Sequence, residues 1–152
     1  MTSSLALKAT SVSDLPFSEL MRLAIKSLAL RNGVEPDKNF WLREHPDTLH
    51  RTLLELKTRL QSNLPPLEEI HFITSGPFPY SSEVSQALDR LQQANAISRE
   101  NPSYQRFSPK VFKDTKDLVP QEIETLFGSN KQTRAAFDAF VKGLEAIIDP
   151  GT

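Results

Sequence analysis

The sequence has no cysteine, only five glycines and no long apolar run. Without cysteine the chain can form neither a disulfide nor a thiolate zinc site, and thiol redox chemistry is excluded. No apolar stretch approaches the roughly 20 residues that cross a bilayer. The first fifteen residues also lack the basic and then apolar pattern of a signal peptide. We therefore expect a soluble, cytoplasmic protein that does not enter a membrane.

The residues that carry most enzyme chemistry are also scarce. His45, His50 and His71 are the three histidines, and none belongs to a paired catalytic or metal-binding motif. The first two lie on different sides of a helix at their spacing, which does not suit a shared metal ion. No glycine-rich phosphate loop and no nucleophile-elbow motif occurs. We predict that the chain is not an enzyme and holds neither a metal nor a cofactor.

The formal net charge of -1 provides no overall attraction to nucleic acid. The charges are nevertheless distributed unevenly along the chain. Residues 81–116 carry six cations against four anions, whereas residues 117–152 carry three cations against six anions. The middle of the chain is therefore mildly basic and its last part acidic, although a mixed solvated surface explains so small an excess as well.

A length of 152 residues predicts one globular domain with its own core. Residues 1–12 are small and polar, and we predict a disordered tail there, followed by a single mainly helical domain over residues 13–149. The first helix is apolar on a broad face and is expected to be capped by Ser13 or Asp14 and ended by Asn32 and Gly33.

A second helix is predicted after Pro46, with one apolar stripe formed by Leu49, Leu53, Leu56 and Leu60. This stripe either packs against the first helix or, as a short coiled-coil seam, provides a homodimer face. Residues 69–75 alternate in polarity and predict a short strand with Ile70, Phe72 and Thr74 on one side.

The later part of the chain predicts an exposed basic connector over residues 109–118 and a short helix that opens at Val119 and Pro120. A long final helix follows in the prediction. Its apolar face is expected to consist of Phe137, Phe140, Val141, Leu144 and Ile148.

Residues 76–109 have the pattern of a stiff entry, a capped amphipathic helix and a short β-hairpin. Ser81 or Ser82 is suited to the helix N-cap, and Asn95 is suited to a left-handed C-terminal position. A turn at residues 101–103 separates a strand at Ile97 from a return strand over residues 104–107. The fold class predicted for the whole chain is α+β and mainly α, a helical domain with a winged-helix-like helix plus β-hairpin unit.

Two sets of side chains on this unit are candidates for binding. One set suits nucleic acid, because amides and guanidinium groups on one helix face can contact base edges and cations beside them can contact phosphates. It consists of Gln86, Arg90, Gln93, Arg99, Arg106 and Lys110. The other set suits a partner protein, because exposed aromatic residues anchor interfaces. It consists of Tyr80, Phe78 and Trp41, although Trp41 and its neighbour Phe40 also suit a core position.

The string GPFPYSSEVSQALDRLQQANAI over residues 76–97 resembles the Panacea domain, a winged-helix-like antitoxin domain. The match covers 22 of the 152 residues. It rests on Gly76, Pro77, Tyr80, Ser81, Leu88, Leu91 and Ile97. The chain departs from the family pattern by an inserted Phe78 and Pro79 and by Ala94 and Asn95 in place of a glycine. The resemblance implies a partner protein, such as a toxin or a subunit of a bacterial defence complex, with DNA binding as a frequent second use of the fold.

Two functions therefore remain open. The first is a protein-interaction module, a small subunit or antitoxin-like component of a bacterial regulatory or anti-phage system. The second is a winged-helix transcriptional regulator that binds DNA. The near-neutral charge, the acidic last part of the chain and the resemblance favour the first.

Overall fold

A computed structural model describes residues 11–100 and 105–149 of the chain. The predicted tail falls largely on residues 1–10, and the predicted turn at residues 101–103 and the first residue of the return strand fall on residues 101–104. These two parts of the prediction lie outside the described residues. No helix within the described ranges is both long and apolar enough to cross a membrane.

The described part of the chain contains five α-helices and one small antiparallel sheet, which confirms the predicted mainly helical α+β class. The helices are α1 (Phe17–Arg31), α2 (Pro46–Leu60), α3 (Ser82–Gln93), α4 (Thr115–Phe127) and α5 (Lys131–Gly143). The strands are β1 (Leu42–Arg43), β2 (Ile97–Arg99) and β3 (Arg106–Pro109). Short 3₁₀ helices occupy Val12–Asp14, Pro65–Glu69 and Leu144–Ile147.

Helix α1 lies at the centre of the domain and contacts α3, α4, α5 and β3. Its broad apolar face is buried as predicted, and it ends as predicted, because Gly33 adopts a left-handed φ of 71° directly after Asn32. The predicted N-cap is wrong. Ser13 and Asp14 belong to the preceding 3₁₀ turn, and α1 begins only after Pro16, whose extended backbone separates the two helices.

Helix α2 buries its leucine stripe within the chain. Leu49, Leu53 and Leu56 are at most 2% exposed, and the helix packs against α5 and the 3₁₀ helix that follows α5. Gly143 permits the closest approach, because a Cβ atom there would overlap the side chain of Leu56. The stripe is therefore buried within the chain and not against a second copy, but α5 and the 3₁₀ helix after it cover these leucines rather than the first helix, as had been predicted.

The sheet has the order β1-β3-β2, so β3 is its central strand. The prediction placed the return strand at residues 104–107, whereas β3 runs to Pro109, which lies opposite Ile97. Proline fits this central strand because its missing N–H would face the β1 side, where pairing stops at Phe107. On that side the Phe40 amide donates instead to the hydroxyl oxygen of Ser108 at 2.8 Å.

Three other predicted elements differ in extent. The strand predicted over residues 69–75 is absent except for a single bridge at Ile73, because no neighbouring strand reaches this segment. Helix α4 begins at Thr115, one turn before the predicted start, because the Thr115 hydroxyl accepts the Phe112 amide at 2.7 Å and orders this turn. The final helix ends at Gly143, and Ile148 instead pairs with Leu42 beside the sheet.

Candidate functional site

A compact loop precedes α3 and presents apolar side chains to solvent. Residues 61–81 connect α2 to α3, and Ile73 and Tyr80 close the last part of this connection. The Ile73 amide donates to the Tyr80 carbonyl at 2.8 Å, and the Tyr80 amide donates to the Ile73 carbonyl at 3.0 Å. Gly76 and Pro77 lie in the turn between them, so the loop is a hairpin with a single bonded pair.

The exposed side chains of this loop form one candidate surface, which we call the loop surface and define as Ile73, Phe78 and Tyr80. Ile73 is 64% exposed and Tyr80 is 38% exposed, which places both among the most exposed large apolar residues in the described part of the chain. Phe78 is half-buried and lies 6.3 Å from the His45 ring, measured between centroids. Adjacent exposed apolar side chains of this kind mark binding surfaces more often than isolated ones.

The aromatic ring of Tyr80 is held in place from two sides. One face stacks on the His50 ring at a centroid distance of 4.7 Å and an interplanar angle of 10°. The phenol oxygen shares a hydrogen bond of 2.9 Å with the hydroxyl of Ser85 on α3. A rigid aromatic side chain loses little conformational entropy on binding, so Tyr80 is suited to anchor an interface.

His50 connects the loop surface to the start of α3. Its ring is 3% exposed, and its Nδ1 accepts a hydrogen bond from the Ser81 amide at 2.9 Å. Because Nδ1 is an acceptor, the neutral ring carries its proton on Nε2. Burial lowers the pKa of His50 to about 4, which keeps the ring neutral near pH 7.

Ser81 is the N-cap of α3, as predicted. Its hydroxyl oxygen accepts the Val84 amide at 3.4 Å and its hydroxyl donates to Glu83 at 3.1 Å. The same Glu83 carboxylate accepts the His71 amide at 3.0 Å, and this bond, together with the one from Ser81, lowers the pKa of Glu83. These bonds attach the loop to the first turn of α3. The Glu83 carboxylate places a negative charge at this point.

The predicted outward face of α3 is present. Gln86, Arg90 and Gln93 are all exposed, and their side chains make no hydrogen bond or ion pair with residues in the described ranges. Asp89, also on α3, is 61% exposed and its carboxylate pairs with Arg99 at 2.6 Å. The structure therefore brings the three predicted residues together on one side of the helix, with a carboxylate nearby.

Arg99 was expected to be exposed, and the structure corrects this expectation. Its side chain is 7% exposed and is bonded to Glu44, whose side chain is 9% exposed. The Arg99 Nε atom lies 3.1 Å from both Glu44 carboxylate oxygens, and a further bond joins Nη2 to the same carboxylate. This ion pair links β2 to the end of β1, and it leaves Arg99 with two carboxylate partners inside the domain.

Arg106 is also bonded within the domain. It pairs with Glu100 and, at 3.2 Å, with Asp149, and its guanidinium lies 4.7 Å from the centre of the Trp41 ring. The predicted partner residue Trp41 therefore faces a cation of its own chain rather than solvent alone. Lys110, by contrast, is half-buried and has no ion pair with any described residue.

Ile73 and His50 are the functional candidates that the sequence analysis missed. The alternation of residues 69–75 placed Ile73 on the polar side of the predicted strand. An isoleucine on a polar side was the signal that could have identified it as an exposed apolar residue. His50 follows Leu49 and precedes Leu53 by three residues, so its place beside the buried stripe could have been inferred from helical spacing. No sequence signal joined it to Ser81.

The described residues contain no group of three or more histidine, cysteine or acidic side chains that could hold a metal ion. The surface residues described above provide apolar, amide and paired ionic groups. No protein-family model, no curated protein and no solved structure matches this chain.

Proposed function

We propose that the chain is a non-enzymatic protein-interaction module that binds a partner protein through the loop surface. The observation that carries the proposal is the exposure of Ile73 and Tyr80 on a loop that closes on itself between these two residues and is attached to α3 by the bond from the His71 amide to Glu83. A fixed apolar surface with a braced aromatic residue has the features of an interface centre.

In a winged-helix interpretation of the order of elements, α2 and α3 are the helical pair and β2 and β3 are the wing, although α3 packs mainly on α1. In helix-turn-helix proteins the pair is joined by a turn of roughly three or four residues, and the start of the second helix reads DNA bases. Here residues 61–81 form a much longer connection, and its loop lies at the start of α3 beside Glu83. This position favours protein contact over base contact at that end of the helix.

The charges of the wing support the same proposal. Arg99 and Arg106 would contact phosphates in a DNA complex, but each is already bonded to two carboxylates of the domain. Their release would require breaking these ion pairs. A partner protein makes no such demand on them.

The resemblance over residues 76–97 supports a more specific form of the proposal. The partner would be a toxin or another subunit of a bacterial regulatory or anti-phage complex, and the complex would act in the cytoplasm. The departures at Phe78 and Pro79 lie in the same loop, and Phe78 belongs to the loop surface, so we infer that they contribute to the choice of partner.

Substitution of Ile73 by aspartate is expected to weaken partner binding strongly. The change places a charge in the apolar contact and should weaken a central interface at least about tenfold. The measurement is recovery of a partner with the tagged chain from its native host, identified by mass spectrometry, followed by affinity measurement with the purified pair.

Leu118→Asp is the matched control, because Leu118 is 48% exposed and lies outside the loop surface. It should retain the partner. Equal loss by both variants, retention by Ile73→Asp, or recovery of the wild-type chain alone as a monomer would each contradict the proposed function.

DNA binding is a second candidate, favoured by one observation. Gln86, Arg90 and Gln93 face solvent together with no partners among the described residues, and such side chains can bond to base edges. Lys110 adds a cation without an ion pair in the described structure.

This second function predicts duplex binding that weakens steeply as salt rises from 50 to 200 mM, because bound phosphates release counterions. Arg90→Ala should weaken it about tenfold, whereas Arg51→Ala, which removes an exposed cation paired with Asp47 on α2, should not. Fluorescence anisotropy with labelled duplex measures both. Absence of salt-dependent binding by the wild type excludes the DNA function.

A further inference from the structure

One lysine of the domain is enclosed by its neighbours. Lys26 lies on α1 and is 7% exposed, which makes it the only buried lysine in the described ranges. Its side-chain nitrogen Nζ lies 5.4 Å from the centre of the Phe112 ring, in the connection that leads into α4. A lysine is almost never buried to this extent unless its charge is paired. The groups around Nζ therefore decide what this side chain can do.

Lys26 has no counter-ion within the described part of the chain. Its Nζ makes no ion pair and no hydrogen bond with a described residue. The carboxylates of Glu19 and Glu122 are bound instead by Arg22, one turn earlier on α1, at 3.0 Å and 2.6 Å. No buried side-chain nitrogen in the described ranges lacks a hydrogen bond, so Nζ must keep contact with solvent. A small reagent can therefore reach this nitrogen, although the rest of the side chain is covered.

The surroundings of Lys26 favour its neutral amine. Burial of the side chain and, after it, the positive charge of Arg22 lower the pKa of Lys26. The carboxylates of Glu122, Glu19 and Asp114 act in the opposite direction and are outweighed. The neutral amine is the nucleophilic form of lysine, and proteins activate lysines by desolvation and by a neighbouring cation. Lys26 thus combines an activated amine with contact to solvent.

We propose that Lys26 is a site of acetylation by a small acyl phosphate. The lone pair of Nζ attacks the acetyl carbonyl carbon and forms a C–N bond. The C–O bond to the phosphate breaks, inorganic phosphate leaves, and the nitrogen releases a proton to solvent. The product is a neutral amide, which removes the cost of enclosing a charge without a counter-ion. This inference is independent of the proposed partner protein, since Lys26 and Phe112 lie outside the loop surface.

The test treats the full, folded chain with acetyl phosphate and measures the acetylation rate at each lysine by peptide mass spectrometry. Lys142, which is exposed on α5, is the internal reference, so the ratio of the two rates does not depend on the reagent concentration. At about pH 7.5 Lys26 should react at least about threefold faster, because each unit of lowered pKa raises the neutral fraction about tenfold. The ratio should fall as the pH rises to about 10, where ordinary exposed amines also lose their protons. Restricted access to Lys26 would scale the ratio equally at every pH and cannot produce this fall.

Arg22→Gln tests the effect of the surroundings on the amine. The change removes the neighbouring cation and leaves Glu19 and Glu122 free to attract a protonated Lys26. Both effects favour the protonated form, so the rate ratio at about pH 7.5 should fall about threefold or more. The variant should fold, because the two carboxylates that lose their partner are 41% and 42% exposed.

Arg31→Gln is the matched control. Arg31 lies on the same helix, but its partner is Asp138 on α5, so its loss should leave the ratio unchanged. Three results would overturn the proposal, whatever the outcome of the partner experiments. They are a wild-type rate for Lys26 at or below that of Lys142 at about pH 7.5, a ratio that stays constant as the pH rises, and equal ratios in the Arg22→Gln and Arg31→Gln variants.

Discussion

Replacement of Arg99 by methionine is expected to lower the free energy of unfolding by about 3 kcal/mol. Methionine keeps much of the aliphatic volume but leaves the Glu44 carboxylate, whose side chain is 9% exposed, without its cation. Removal of one partner of a buried ion pair is costly because the other charge stays desolvated. The bond to the more exposed Asp89 should contribute little. Urea unfolding of both proteins, with their slopes compared, measures the difference.

Arg51→Met provides the matched control. Arg51 forms an ion pair with Asp47, but the two side chains are 55% and 50% exposed, so its loss should cost less than about 0.5 kcal/mol. The double variant Arg99→Met with Glu44→Gln should recover part of the lost stability, since it removes the stranded charge. A smaller loss for Arg99→Met than for Arg51→Met would show that the pair is not buried in solution.

The second large effect is a dependence of stability on pH that arises from His50. Its pKa is about 4 in the folded chain, below the ordinary value of 6.5, because the ring is buried. The unfolded chain therefore takes up a proton first as the pH falls. The contribution of the neutral, buried His50 ring to the free energy of unfolding is fully present above pH 6.5. It is progressively lost as the pH falls towards 4, by an amount on the order of 3 kcal/mol.

His50→Asn isolates this contribution. The asparagine oxygen can replace Nδ1 as acceptor for the Ser81 amide, but it does not titrate. The free energy of unfolding of this variant should therefore fall less between pH 6.5 and 4 than that of the wild type. Protonation of Glu83 in acid also lowers the free energy of unfolding, because the pKa of Glu83 is lowered in the folded chain. This loss occurs in both proteins.

Parallel profiles for His50→Asn and the wild type would show that His50 does not titrate below its ordinary range. In the wild type, acid should also loosen the loop surface, since a protonated ring no longer accepts the Ser81 amide.

The parts of the fold that were predicted correctly depend on local signals. Ser81 accepts the Val84 amide at the start of α3, and Asn95 adopts a left-handed φ of 61° before β2, as the residue types indicated. Both features involve residues a few positions apart, where side-chain chemistry decides the backbone conformation. The leucine spacing of α2 indicated a buried stripe for the same reason, although not that α5 would cover it.

The errors arise where distant residues decide the outcome. Residues 69–75 alternate as a strand does, but a strand needs a neighbour, and only Tyr80 is available to Ile73. Arg99 looked exposed because Glu44, its partner, precedes it by 55 positions. The pattern of neighbouring residues in the sequence reveals neither the lack of a partner strand nor the ion pair with Glu44.

The candidate site was predicted in part. Tyr80 and Phe78 were chosen for their aromatic chemistry, and the structure places both in the loop surface with Ile73. Trp41 was chosen for the same reason, but its ring faces Arg106. The importance of His50 depends on tertiary contacts with Ser81 and Tyr80, which lie on the far side of a long connection.

The sheet is completed by the last described residues of the chain. Leu42 pairs with Phe107 and with Ile148, and the Asp149 amide donates to the Trp41 carbonyl at 3.0 Å. During synthesis the contacts of Ile148 and Asp149 cannot form until these two residues have left the ribosome, by which time α1, α2 and α3 have emerged. Closure of so large a loop raises the contact order and slows the final folding step, so the helical part should wait for the C-terminal segment before it becomes stable.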